Sequence, residues 1–312
     1  MSRLDDMFDE IDSVSPRKRR RSREQRRLRL RRHGRRAYIR SVYFLPSLAT
    51  LGNAVCGFGA ICVATIVTPG GQMTYRDPWA NFLAHLGFAA AAYLIFLAMA
   101  FDALDGRLAR FARHTSDFGG QLDSLADVVS FGVAPAFIAL RLFRQDGPEM
   151  GLIPSRLLWA IAAMYLSCAA IRLARFNVSN EHGEQHHFSF LGLPSPGAAG
   201  AVAGLILMQQ DLAHQQMLWA QKLGSLCVAI LPAVVLCTGL LMVSNFRYPH
   251  LVNRYLRGKR SISRLLFVFA AILLLIVAHQ YAIGIGVPVY AFWGPVAWMI
   301  ARTRRWTRPA AA

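Results

Sequence analysis

The sequence predicts an all-α membrane protein, a polytopic bundle of about eight transmembrane helices with both termini in the cytoplasm. Three observations lead to this prediction. The chain of 312 residues is 54% hydrophobic and only 17% charged, whereas a soluble domain usually carries more charge. Apolar stretches long enough to cross a bilayer recur along the chain. Basic residues are concentrated in alternate connections between these stretches, as expected for a membrane protein with a defined orientation.

Eight stretches of about 20 predominantly apolar residues are candidate membrane-spanning helices. They cover residues 47–67, 82–102, 118–142, 157–176, 190–209, 222–243, 264–282 and 285–301. Acidic residues interrupt the third stretch, and glycines and prolines interrupt the fifth. Because the number of spans is even, we expect both termini on the same side. We expect no cleavable signal peptide, since the first 40 residues contain no apolar segment of that type.

The charge distribution predicts three segments and an orientation. Fourteen Lys or Arg residues lie between Arg17 and Arg40, within a net charge of +18. Such a block can bind nucleic acid, but next to a membrane span it favours a cytoplasmic arm that attracts anionic lipid. We therefore expect no nucleic-acid partner. The predicted segments are the basic arm at 1–40, a core of about six spans at 41–245, and two further spans with a basic tail at 246–312.

Four carboxylates lie at the ends of two predicted spans. Asp102 and Asp105 end the second span, and Asp123 and Asp127 begin the third. Each pair shares one helix face, and two antiparallel helices would bring the pairs together. Four clustered carboxylates repel one another, and two Mg²⁺ or Mn²⁺ ions would neutralise them and could clamp a phosphoryl group. Two alternatives are simple pairing with nearby arginines at the membrane surface and a divalent-cation transport site.

Other residues near these acids suit an anionic ligand. Gly106 removes a side chain where a phosphate would approach, Gly119 lets the third helix come close, and Arg110 offers a guanidinium to phosphate. Asn53, in the first span, would hydrogen-bond a diphosphate or nucleotide, or would serve helix packing.

Two further arginines lie near the cytoplasmic end of the fourth span. Arg172 and Arg175 are three residues apart on one helix face, and guanidinium groups there need anionic partners. These partners would be the acidic cluster, a lipid phosphate or the carboxylate of serine. A structural ion pair is the alternative.

The acidic segment resembles a known family. The pattern D-x-x-D-G-x-x-A-R, eight residues, then G-x-x-x-D-x-x-x-D is matched in full by Asp102, Asp105, Gly106, Ala109, Arg110, Gly119, Asp123 and Asp127. It is similar to the motif of the CDP-alcohol phosphatidyltransferases. The resemblance implies that the first three aspartates bind metal, that Asp127 is the general base and also contributes to the metal site, and that the donor is CDP-diacylglycerol with CMP as leaving group.

Further stretches narrow the resemblance. The segments FLPSLATLGNAVCGF at 44–58, SLADVVSFGVAPA at 124–136, IRLARFNV at 171–178 and FLGLPSPGAAG at 190–200 are similar to the phosphatidylserine synthase branch of the bacterial membrane enzymes. This resemblance implies L-serine as acceptor, a homodimer, and an inner-membrane location with the active site on the cytoplasmic side. Glycerol 3-phosphate or an inositol phosphate is the alternative acceptor.

Overall fold

The computed structural model describes residues 47–67, 78–112, 117–148, 152–181, 189–249, 273–274 and 277–306. Within these ranges the chain is helical apart from one short antiparallel ribbon. The helices are α1 (Ser47–Ile66), α2 (Pro78–Ala112), α3 (Asp117–Asp127), α4 (Ala134–Asp146), α5 (Leu152–Glu181), α6 (Ser195–His214), α7 (Leu218–Val243) and α8 (His279–Trp306). The ribbon pairs β1 (Ser189–Leu191) with β2 (Arg247–Pro249).

Six of the helical segments are long and apolar enough to cross a membrane, as in a multi-pass membrane protein. They are Ser47–Ile66, Leu86–Leu108, Phe118–Asp146, Ser155–Val178, Leu218–Val243 and His279–Met299. The predicted helical, polytopic class is therefore confirmed. Among the described residues these segments correspond to the first four, the sixth and the eighth predicted spans.

Helix α1 shows how the sequence divides a span between lipid and protein. Its exposed large side chains recur every three or four residues along one face; they are Leu48, Leu51, Val55 and Phe58. The other face carries small and polar residues that are buried in the bundle, among them Asn53. Small side chains let neighbouring helices approach closely, which supplies much of the association energy where lipid is the solvent.

The fifth predicted span forms a helix, α6. By length and composition, this helix is not among the six segments able to cross a membrane, so its role as a span stays a prediction. Most of its residues are buried, and it packs against α2, α7 and α8. Because protein surrounds α6, small residues and even Gln209 are accommodated where a lipid-facing helix needs large apolar side chains.

The end of the chain also differs from the expectation. Helix α8 runs without a break from His279 to Trp306, so the predicted boundary between the seventh and eighth spans, at 283–284, does not occur. Residues 264–272 and 275–276 of the seventh predicted span lie outside the described residues. The basic arm, 1–40, also lies outside them, and the division into three segments stays a prediction.

The helices give the bundle two distinct ends. Gln209 of α6 donates a hydrogen bond to Asp146 at the end of α4, and Arg141 of α4 donates to the carbonyl of Val67 after α1. These contacts lie at the end of the bundle remote from Asp127, which we call the distal end. Helices α7 and α8 both run from the distal end toward the acidic residues, a direction compatible with the predicted seventh span between them.

Candidate functional site

Helices α2 and α3 bring three of the predicted acids together. Asp102 lies near the end of α2, and Asp123 and Asp127 lie one turn apart on α3. One carboxylate oxygen from each residue lies within 4.8 Å of the others. Asp127 is buried and the other two are half-buried, so the like charges are held where water screens them poorly. The predicted convergence of the two helix ends is thus present.

Asp105 occupies a neighbouring position outside this group of three. Its Oδ2 accepts a 3.0 Å hydrogen bond from the hydroxyl of Thr50 on α1, and Asp105 is buried. It interacts electrostatically with Asp123 and Asp102. Asp105 therefore contributes charge to the same region while α1 holds its carboxylate in place.

Helix α1 also supplies the partner of Asp127. The side-chain amide of Asn53, fully buried, donates a 2.9 Å hydrogen bond to Oδ1 of Asp127. The backbone carbonyl of Asn53 accepts a 2.9 Å hydrogen bond from the hydroxyl of Ser130. Thr50, Asn53 and Gly57 lie on one face of α1, and a Cβ at Gly57 would lie 2.6 Å from the Cα of Ser130. The glycine permits the close crossing that places Asn53 against Asp127.

A short π-helix, Val128–Val133, follows Asp127 directly. Such wider turns free backbone groups and are frequent at functional sites. Here the carbonyl of Phe131 accepts a 3.1 Å hydrogen bond from the hydroxyl of Tyr165 on α5. The π-helix thus ties the segment after Asp127 to both α1 and α5. The sequence carries no clear signal for it.

The acidic cluster suits a hard divalent cation. Oδ1 of Asp123 and Oδ1 of Asn53 are buried without a hydrogen-bond partner among the described residues. A buried unpaired oxygen is costly unless a ligand completes it. The donors are all oxygens, the type that Mg²⁺ and Mn²⁺ prefer. The residues present therefore fit a metal site.

The structure describes the surroundings of the two glycines of the acidic motif, but not those of its alanine and arginine side chains. A Cβ at Gly106 would meet nothing within 4 Å, so the space predicted for a ligand is open there. Gly119 lies in the first turn of α3 and is half-buried. The backbones of Ala109 and Arg110 belong to α2, but their side chains lie outside the described residues, and their predicted roles are not tested.

The two arginines of α5 have different surroundings. Arg172 faces the site: it interacts electrostatically with Asp127 and Asp102, and its Nη1 donates a 2.6 Å hydrogen bond to the hydroxyl of Ser195. Arg175 is exposed and donates a 3.2 Å hydrogen bond to Oδ1 of Asn245. The sequence pattern placed the two on one face, but their contacts assign only Arg172 to the surroundings of the acids.

Several polar residues around the acids were not predicted from the sequence. Thr50 donates a hydrogen bond to Asp105, and Ser130 donates one to the carbonyl of Asn53. Asn177 of α5 donates a 2.8 Å hydrogen bond to the hydroxyl of Ser124, the residue after Asp123. The i, i+3, i+7 spacing of Thr50, Asn53 and Gly57 was a usable signal for the polar face of α1. Ser124 and Asn177 carry no such signal, because single polar residues in helices are common.

Comparison with known proteins agrees with this geometry. The family model for CDP-alcohol phosphatidyltransferase matches residues 43–230, which include all four aspartates. A CDP-diacylglycerol–serine O-phosphatidyltransferase of Helicobacter pylori is 30% identical over 261 residues, 84% of this chain and 93% of that protein.

Two other organisms have similar proteins of the same name. The one of Methanocaldococcus jannaschii is 36% identical over 161 residues, 52% of this chain and 64% of that protein. The one of Bacillus subtilis is 29% identical over 208 residues, 66% of this chain and 90% of that protein. With the matched family model and the complete acidic motif, these similarities show that the chain belongs to the CDP-alcohol phosphatidyltransferase family.

Proposed function

We propose that the protein is a phosphatidylserine synthase, which transfers the phosphatidyl group of CDP-diacylglycerol to the hydroxyl of L-serine and releases CMP. The observation that carries this proposal is the convergence of Asp102, Asp123 and Asp127 at one end of the bundle. The names of the similar proteins given above support serine as the acceptor.

The residues of the site have distinct proposed roles. Asp102, Asp105, Asp123 and Asp127 would hold two Mg²⁺ or Mn²⁺ ions, which supply positive charge for the diphosphate of the donor. Asp127 accepts the proton of the serine hydroxyl, whose oxygen is a weak nucleophile without a base nearby. The new bond joins that oxygen to the lipid-side phosphorus, and the bond from this phosphorus to the CMP oxygen breaks. Asn53 holds the carboxylate of Asp127 for this step.

We place the donor beside the acids. Gly106, which follows Asp105 in α2, leaves open space around its Cα, where a diphosphate would approach the backbone. The proposed contacts of the donor with Asn53, Ala109, Arg110 and Gly119 follow from the family motif and stay predictions. The acyl chains of the donor would remain in the bilayer, while serine and CMP exchange with water.

The active site would lie on the cytoplasmic side of the inner membrane. Helix α8 ends beside the acidic end of the bundle, as its contact between Trp298 and Phe246 indicates, and its last turns carry Arg302, Arg304 and Arg305. Basic residues favour the cytoplasmic side. The homodimer implied by the family resemblance also stays a prediction.

Other functions are less well supported. Glycerol 3-phosphate or an inositol phosphate brings a phosphate, whereas Arg172 offers one guanidinium next to the acids. A divalent-cation transport site usually lies near the middle of the membrane, whereas Asp102 and Asp105 lie in the last two turns of the segment Leu86–Leu108.

An acceptor panel tests the proposal. Purified protein is incubated with CDP-diacylglycerol and Mg²⁺ or Mn²⁺, and CMP release is measured with serine, glycerol 3-phosphate or an inositol phosphate. We expect CMP release when serine is the acceptor, and none with glycerol 3-phosphate or an inositol phosphate. Release with only a phosphorylated acceptor would contradict the assignment of serine, and absence of release with every acceptor would contradict the enzyme assignment.

A further inference from the structure

Arg172 is held in a fixed position by the start of α6. Its Nη1 donates a 2.6 Å hydrogen bond to Oγ of Ser195, and Ser195 is fully buried in the first turn of α6. The hydroxyl of Ser195 therefore acts as an acceptor and fixes one edge of the guanidinium. This contact connects α5 with α6.

Helix α8 brings Tyr290 to the same place. Gly197, Gly200 and Gly204 of α6 face α8: a Cβ on each would come within 3.6 Å of Tyr290, 3.3 Å of Val287 and 3.0 Å of the Ile283 carbonyl, respectively. This close packing places Tyr290 within electrostatic reach of Arg172. Tyr290 is half-buried. It lies outside residues 43–230, the part of the chain matched by the family model.

The guanidinium of Arg172 retains an unused donor. Its Nε is buried and has no hydrogen-bond partner among the described residues, which is costly for a charged donor. In arginine, Nε and Nη2 form the edge that grips a carboxylate through two parallel hydrogen bonds. Since Nη1 is engaged with Ser195, the edge that contains Nε is the one left for a ligand.

We propose that Arg172 and Tyr290 bind the carboxylate of the acceptor amino acid, with Ser195 as the residue that positions Arg172. The proposal rests on serine being the acceptor. It adds Tyr290 and Ser195 to the site and gives α8 a part in acceptor recognition.

The position of Arg172 favours the acceptor over the donor. Arg172 lies within electrostatic reach of Asp127, and Asp127 is the proposed base. The carboxylate and hydroxyl of serine are carried on adjacent carbons, so a carboxylate bound at Arg172 keeps the hydroxyl close to Asp127. A donor phosphate bound there would instead occupy the space that the acceptor needs.

The test compares variants and acceptors in the full-length enzyme. Arg172→Gln should raise the KM for serine roughly 10- to 100-fold, as expected for loss of a charge-assisted pair, and Tyr290→Phe about 3- to 10-fold. Neither variant should change the KM for CDP-diacylglycerol more than about twofold. Ser195→Ala should raise the serine KM less than Arg172→Gln does. Matched controls at the distal end are Tyr281→Phe, in the same helix, and Arg144→Gln; both should retain the wild-type serine KM.

A second acceptor makes the test specific for the carboxylate. Serinol carries the amine and hydroxyl of serine but has a second hydroxymethyl group where serine has its carboxylate. The wild-type enzyme should use serine far better than serinol, and Arg172→Gln should reduce this preference at least tenfold, because it loses much more rate with serine than with serinol. An equal loss with both acceptors, or a rise in the donor KM instead, would overturn the inference. Wild-type enzyme inactive with serine would instead contradict the proposed function itself.

Discussion

The side-chain amide of Asn53 donates a 2.9 Å hydrogen bond to Oδ1 of Asp127, so the first helix of the bundle holds the carboxylate proposed as the base. The carbonyl of Asn53 accepts from Ser130 in the π-helix that follows Asp127. One residue of α1 therefore fixes both the side chain of Asp127 and the backbone after it. Loss of its donor should affect catalysis more than folding.

Replacement of Asn53 by Asp tests this contact. The substitution keeps the shape of the side chain but replaces the N–H donor with an oxygen and adds a carboxylate against Asp127. We expect CMP release to fall roughly 10- to 100-fold, the range for an unpaired buried polar contact. Asn245→Asp is the matched control, because Oδ1 of the exposed Asn245 already accepts from Arg175. Wild-type turnover in Asn53→Asp would show that the contact does not matter.

Asp127→Asn and Asp123→Asn should fail in different ways. Without its base, Asp127→Asn should lower the single-turnover rate by roughly 10² to 10⁴ and still bind CDP-diacylglycerol, because the other acids remain. Asp123→Asn should weaken donor binding and turnover together, because a carboxylate whose buried Oδ1 is otherwise unpaired is lost from the metal site. Donor affinity and single-turnover rate are measured for both variants. Equal loss of donor binding in the two would remove the support for Asp127 as base.

The sequence predicted the chemistry of this site better than its surroundings. Asp102, Asp105, Asp123 and Asp127 were expected to converge because each pair shares a helix face and the two helices were expected to run antiparallel. Three of the four lie together, and Asp105 lies beside them, held by Thr50. The separation of Arg172 from Arg175 could not be predicted, since it depends on where Ser195 and Asn245 lie in space. Tyr290 likewise reaches Arg172 only through the packing of α8 on α6, which no local pattern encodes.

The membrane spans show the same contrast between features that a local sequence pattern predicts and features that depend on packing. Hydropathy identified helices that face lipid, such as α1, because lipid demands large apolar side chains. It could not settle whether α6 is a span, because this helix is largely enclosed by protein and its composition reflects packing more than contact with lipid. The break predicted near Gly284 is absent because that glycine serves close contact: a Cβ there would lie 2.8 Å from the carbonyl of Gly204.

Close helix contact also predicts a stability effect at Gly57. A Cβ there would lie 2.6 Å from the backbone of Ser130, so Gly57→Ala must push α1 away from the π-helix. We expect a loss of about 1–3 kcal/mol, the usual cost of overpacking, measured by thermal unfolding in detergent. Gly286→Ala, where a Cβ meets nothing within 4 Å, is the control and should keep the wild-type melting temperature. If both variants melt alike, the crossing is not as tight as described.

The orientation of the bundle can be measured with single cysteines in a cysteine-free background. Asn245 is exposed at the acidic end, and Gln216 is exposed in the distal connection between α6 and α7. With the acidic end in the cytoplasm, a membrane-impermeant thiol reagent should label Asn245→Cys only in inside-out vesicles. It should label Gln216→Cys only in right-side-out vesicles. The reverse pattern would place the active site on the outer face of the membrane.

Transfer of the phosphatidyl group to serine at the aspartate cluster is tested most directly by product analysis with controlled metal. Purified protein is depleted of metal with a chelator and supplied with CDP-diacylglycerol and L-serine, and lipid and nucleotide products are measured before and after addition of Mg²⁺ or Mn²⁺. We expect phosphatidylserine and CMP in equal amounts only after the metal is added, and almost none from Asp102→Asn under the same conditions. Full formation of phosphatidylserine in excess chelator, or by Asp102→Asn, would contradict a metal-dependent reaction at these aspartates.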